Sequence, residues 1–150
     1  LVDSTFWRHG WQAMRVSGIA LGAYQYLVPT QDAQQQAGLA LQIARQLDMP
    51  FVLDVEARGL TAKQIDAWLN TFQRANASAM IYCSQTSWRE CYGAGAHKWS
   101  HLPLWVANYT EAAKPAMPDG WQDWDIWQHS QNGRLAGYSG ALDLNRRKPK

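Results

Sequence analysis

Two carboxylates two residues apart, Asp54 and Glu56, lie in the stretch MPFVLDVEARG over residues 49–59, which otherwise reads as buried strand. An ionised carboxylate buried without a partner costs several kcal/mol or shifts its pKa until it takes up a proton. In a strand, residues i and i+2 project from one face, roughly 6.5 to 7 Å apart. Asp54 and Glu56 are therefore expected to point into one mouth. There the two acids cannot ionise equally, so one keeps its proton while the other remains an anion. That gives an acid and a base, or an acid and an electrostatic stabiliser, as glycoside hydrolysis requires. A D-x-E triplet is short and common, and two surface acids at a strand end would carry the same letters; its surroundings decide.

Those surroundings alternate between strand and helix. STFWRHGWQAMRVSG reads as a helix closed by Gly18, and GIALGAYQYLV as an aromatic strand ending before Pro29. From Asp32 to Leu47 the apolar positions Ala33, Ala37, Ala40, Leu41, Ala44 and Leu47 recur at helical spacing. After the strand PFVLDVE comes TAKQIDAWLNTFQRAN, where Thr61 and Gln64 are spaced as a capping box and Ile65, Trp68, Leu69 and Phe72 form one apolar face. ASAMIYCS, LPLWVANY, WDIWQHS and a short GALDLN read as further strands, with TSWRECYG as a short helix or turn. This order indicates βαβ units and a parallel sheet, either doubly wound or a β/α barrel. No Gly-rich phosphate loop follows a strand, so a nucleotide site has little support and no cofactor is implied. In a barrel, chemistry sits at the C-terminal strand ends, where Asp54 and Glu56 fall.

The 150 residues suffice for one domain with one core, and they contain no apolar run long enough to cross a bilayer. No signal peptide is expected from the opening LVDSTFWRHG, which lacks a basic, apolar leader. A net charge of +2 gives no ground for nucleic-acid binding, and the basic residues of 145–150 read as a solvated tail. Nine Trp and six Tyr exceed what a core of this size requires. More than half are expected in the core, but flat aromatic faces are also what sugar rings stack on. Cys83 and Cys91 have no Cys or His at zinc-ligand spacing, so no metal is expected; free thiols and a small-loop disulfide both remain open.

The ordered fragments GAYQYL, FVLDVEA, IYCSQTSW, LPLWVANY, DIWQHS and GALDLNR resemble the glycoside hydrolase family 25 lysozymes, the Chalaropsis type of muramidase. The resemblance runs from about Asp3 to Asn145. It implies an α/β fold, an irregular TIM-like β/α barrel, that cleaves the β-1,4 bond between N-acetylmuramic acid and N-acetylglucosamine in bacterial peptidoglycan. Glu56 would be the general acid. Asp54 would be the carboxylate that stabilises the transition state or orients the N-acetyl group, and Asp143 would complete the cluster. By the same resemblance Tyr24, Tyr26, Trp105, Tyr109, Trp127 and Gln128 line the sugar groove, and Gln25 stands where the family usually has His. The nucleophile would be a carboxylate or the substrate's own acetamido oxygen. A place of action at the cell wall, as a secreted or released autolysin or phage endolysin, also follows from the resemblance.

Family members open with a strand carrying a D-x-S motif, whose Asp joins the catalytic cluster, and then a second strand. This sequence opens in what resembles the following helix, so the barrel is expected to be incomplete at its N-terminus. An open barrel exposes strand edges, which makes a homo-oligomer one expectation. A peptidoglycan-binding module without turnover, or a fragment of a larger assembly, is the alternative on the same residues.

Overall fold

A computed structural model describes residues 10–18, 20–45, 50–95 and 98–149. The start of the expected N-terminal helix, the end of the helix expected to reach Leu47, and Asp3 lie outside these residues. Ten elements follow in chain order: α1 (Trp11–Val16), β1 (Tyr24–Tyr26), α2 (Ala33–Ala44), β2 (Phe51–Asp54), α3 (Ala62–Arg74), β3 (Ala79–Cys83), α4 (Gln85–Tyr92), β4 (Leu104–Ala107), β5 (Ile126–Leu135) and β6 (Tyr138–Arg147).

Local chemistry explains most helix boundaries. Asp32 caps α2 by accepting from the Gln35 backbone N–H at 2.8 Å. The Thr61–Gln64 capping box starts α3, and the Gln64 amide also donates to the Pro29 carbonyl at 2.6 Å, tying α3 to the loop after β1. Ser84 and Ser87 form a second capping box at the start of α4. α1 ends as expected near Gly18, whose φ of 72° suits glycine.

The sheet runs β1-β2-β3-β4-β5-β6, with neighbours in sequence also neighbours in space, and it curls into a half-barrel. β1 to β5 are mutually parallel, as βαβ connections require, and α2, α3 and α4 supply three of the crossovers. β6 breaks the expected pattern. Instead of a short closing strand it is ten residues long and returns antiparallel to β5 through a tight turn at Gly137, φ 84°. Arg146 and Arg147, expected in a solvated tail, are instead rungs of β6 opposite Trp127 and Ile126.

Two further boundaries differ from expectation. β1 is three residues long, and the chain beyond it is held by a side chain: buried Gln36 accepts from the Val28 N–H and donates to the Val28 carbonyl, both at 3.0 Å. β2 ends at Asp54, so Glu56 stands just beyond the strand. Backbone pairing still reaches Val55, whose N–H donates to the Tyr82 carbonyl at 2.8 Å.

The core lies between the sheet and the helices. Phe51, Leu53, Ile81, Leu104 and Val106 from the strands meet Ile65, Trp68, Leu69 and Phe72 of α3 and Trp88 of α4, all buried. The indole of Trp68 stacks on Phe72 at 3.9 Å between centroids, and its N–H donates to Gln25 at 2.8 Å. Gln25 thus faces the helices rather than the mouth. Cys83 and Cys91 are free thiols, and burial pushes both pKa values up.

The double role of Gln64 predicts that Gln64→Ala lowers stability by about 1–2 kcal/mol in urea unfolding. Gln73→Ala, on the exposed side of the same helix, should change it by less than about 0.5 kcal/mol. Equal losses would show that the cap does not hold α3.

Candidate active site

Side chains alternate across a strand, and the shared register extends that alternation across the sheet. Tyr24 lies opposite Val52, Asp54 opposite Tyr82, Tyr82 opposite Trp105, and Gln128 opposite Asn145. One face therefore gathers these side chains, while Phe51, Leu53, Ile81, Leu104 and Val106 go to the helices. On the gathered face is a cavity of about 240 Å³ lined by Tyr24, Val52, Asp54, Glu56, Tyr82, Trp105, Gln128, Asp143 and Asn145.

Three of these residues are acids and none is a base. Asp54 is the buried one at 6% exposure, and its Oδ1 has no hydrogen-bond partner among the described residues. Burial, and then the charge of Glu56, push its pKa from 3.8 to about 7. Near neutral pH, Asp54 thus holds a proton about half of the time. Glu56 and Asp143 are exposed at the opening. The spacing argument holds in outcome, since both members of D-x-E enter one cavity, although Glu56 lies past the last strand residue.

The cavity walls are hydrogen-bonded to one another. Gln128, only 5% exposed, accepts through Oε1 from the hydroxyls of Tyr82 and Tyr109, each at 2.8 Å. With the carbonyl oxygen so used, its amide nitrogen has no partner among the described residues and is available to a ligand oxygen. The Trp105 N–H donates to Asn145 at 2.9 Å, and its ring meets Tyr82 edge-on at 5.5 Å. Burial and then the Glu56 charge push the Tyr82 pKa well up, so its hydroxyl stays a neutral donor.

Of the candidate residues, Asp54, Glu56, Asp143, Tyr24, Trp105 and Gln128 line this cavity. Tyr26 shares the face, paired with Asp54, but is not in the wall. Tyr109 reaches it only through the bond to Gln128. Trp127 does not line this cavity. As the strand neighbour of Gln128 it points to the opposite face, where it is 2% exposed and donates to the Asn108 carbonyl at 2.8 Å. Tyr82 and Asn145 were not among the candidates; the period-two rule applied to AMIYC and ALDLN would have found them.

Among the described residues no helix is long and apolar enough to span a membrane, and no group of His, Cys, Asp or Glu is arranged to hold a metal.

Comparison with known proteins follows the same lines. The model of glycosyl hydrolases family 25 matches residues 1–138. The YegX protein of Escherichia coli strain K12 is 37% identical over 152 residues, a match covering 97% of this chain and 54% of YegX. The chain thus spans about half the length of that relative. Lysozyme M1 of Streptomyces globisporus is 33% identical over 110 residues, covering 65% of this chain and 37% of that protein. Among solved structures, the bacterial lysozyme from Streptomyces coelicolor superposes with a TM-score of 0.76 at 25% identity, covering 96% of this chain and 74% of that one.

The two causes of the Asp54 shift can be separated by experiment. In Glu56→Gln the charge is gone and burial remains, so Asp54 should titrate below about 7 yet clearly above 3.8 when followed by carboxyl carbon NMR. An unmoved titration would mean that the two acids do not interact. The shift also sets a stability window. The unfolded chain releases this proton near 3.8 and the fold only near 7, so stability should fall as pH rises between them. Asp54→Asn should remove that part of the slope in urea melts.

Proposed function

The chain belongs to glycosyl hydrolase family 25, and from that premise we propose that it is a muramidase cleaving the β-1,4 bond between N-acetylmuramic acid and N-acetylglucosamine in peptidoglycan. The observation that carries this reading is buried Asp54 beside Glu56 in one cavity walled by aromatic rings and amides. Glycosidic cleavage needs a proton on the leaving oxygen and negative charge near the oxocarbenium-like transition state. Near neutral pH the pair retains one proton for part of the time, because burial and mutual repulsion disfavour two anions.

Glu56 is exposed at the opening, where a polymer arrives, and is assigned the proton transfer to the leaving oxygen. Asp54 in the floor holds a proton about half of the time near neutral pH, and in its ionised form it is the carboxylate partner that stabilises positive charge or orients the acetamido group. Asp143 adds a third carboxylate from β6. Tyr24 and Trp105 offer planes for the sugar's C–H faces, and the unpartnered amide nitrogen of Gln128 suits an acetamido oxygen. In this reading the curled sheet is an arc of a β/α barrel, its C-terminal strand ends form the mouth, and the place of action is the bacterial wall.

Clearing of a peptidoglycan suspension tests the assignment. Glu56→Gln should lower the rate at least about a hundredfold, the scale of a lost general acid, with a thermal melt no lower than that of the wild type. If the proton retained by the pair is the one transferred, the wild-type rate should also fall as pH rises through about 7. Full clearing by Glu56→Gln would sink the role of Glu56. A folded wild-type protein that releases no reducing ends would sink the activity.

A further inference from the structure

A second cavity of about 600 Å³ lies between the loop after β4 and the β5–β6 hairpin. It adjoins the first. Tyr109 lines the second cavity and donates its hydroxyl to Gln128, which lines the first. Trp127 and Arg146, which line the second cavity, lie on the other face of the hairpin from Gln128 and Asn145, so a ligand reaching from the first cavity into the second rounds the Tyr109–Gln128 rim.

The chemistry of the second cavity differs from that of the first. Arg146 lies across from Trp127 in the hairpin register, with its guanidinium carbon 5.7 Å from the indole centroid. Stacking of this kind holds the cation while leaving the edge donors of the guanidinium unspent. Arg146 has no carboxylate partner among the described residues; the ion pairs there are Arg89–Asp119, Lys98–Asp66 and Lys148–Asp123. His129 meets the same indole at 5.8 Å and also lines the cavity. Asn132 adds an amide, and Glu111 in the facing loop adds an acceptor.

A planar fork of donors takes a carboxylate in two parallel bonds, while an amide and a carboxylate acceptor suit the C=O and N–H groups of a peptide backbone. We propose that this cavity binds a short acidic peptide carried as a substituent on the glycan, with a peptide carboxylate on Arg146. The first cavity would hold the sugar and the second its appended peptide. The inference rests on the muramidase reading of the first cavity, since peptidoglycan is a glycan whose muramic acid bears such a peptide. It assigns Arg146 to substrate selection rather than to the reaction.

Calorimetric titration with two soluble fragments of one wall digest tests this, one fragment carrying its stem peptide and the other stripped by an amidase. The Glu56→Gln background keeps the ligand from being consumed. The stem-bearing fragment should bind about tenfold more tightly. Adding Arg146→Gln should abolish that preference and leave affinity for the bare fragment unchanged, whereas Arg146→Lys should keep part of it, retaining charge without the fork. In the protein with Arg146 intact, the His129 ring resonances should move with the stem-bearing fragment only, which gives a readout even if Arg146→Gln does not fold. Equal affinity for both fragments, a preference that survives Arg146→Gln, or unmoved His129 resonances would each overturn the peptide site alone. Binding of the stem-bearing fragment without any binding of the bare one would count against the glycan site and leave the peptide site standing. Binding of neither fragment would overturn both.

Discussion

A carboxyl group with 6% of its surface exposed, beside a second acid and with no base among the described residues of the cavity wall, cannot behave as an ordinary anion. The fold must hold Asp54 there at a cost, and it does so from both sides. The Asp54 carbonyl accepts from the Leu27 N–H at 3.2 Å on the β1 side, while the next residue, Val55, donates to the Tyr82 carbonyl at 2.8 Å on the β3 side. Clamped between two parallel neighbours, the strand end fixes the direction in which the carboxyl leaves the backbone. The raised proton affinity is thus a property of strand pairing as much as of the residue.

That clamp works because the sheet sorts its side chains by parity. Phe51, Leu53 and Val55 enter the helix-side core, where Trp68 and Phe72 stack, while Val52 and Asp54 line the mouth. The packed layer supplies the stability that a wall of tyrosines, amides and acids does not. The mouth has a structure of its own in which Gln128 receives two phenolic hydroxyls and Trp105 is tethered to Asn145. These bonds fix planar groups before a ligand arrives, which lowers the ordering cost of binding.

Much of this was legible in the residues. The helix of Ile65, Trp68, Leu69 and Phe72, with its Thr61–Gln64 cap, could be read because periodicity and capping are local. D-x-E could be read because strand spacing sets side-chain direction, and the ordered motifs pointed to the family. What escaped depends on pairing between distant segments. The apolar run before Pro29 does not say that only Tyr24–Tyr26 finds a partner, and RRKPK does not say that Arg146 lies opposite Trp127. Trp127 and Gln128 are adjacent letters of one motif, yet a strand sends them to opposite faces. The motif holds both, and only Gln128 lines the carboxylate cavity. The second cavity was invisible for the same reason, being assembled from a loop and two hairpin strands.

Alternation along β2 also bears on how such a chain diverges. Substitutions at Phe51, Leu53 and Val55 are tested against folding, while those at Val52 and Asp54 are tested against whatever occupies the mouth. The two kinds of demand act on interleaved positions. A lineage can therefore change the chemistry of its mouth without first loosening its core, and it can drift in core volume without retuning its acids. Gln25 is the telling position. Its side chain spans from β1 to the indole of Trp68 in α3, so a change there is felt by the packing before it is felt by any sugar.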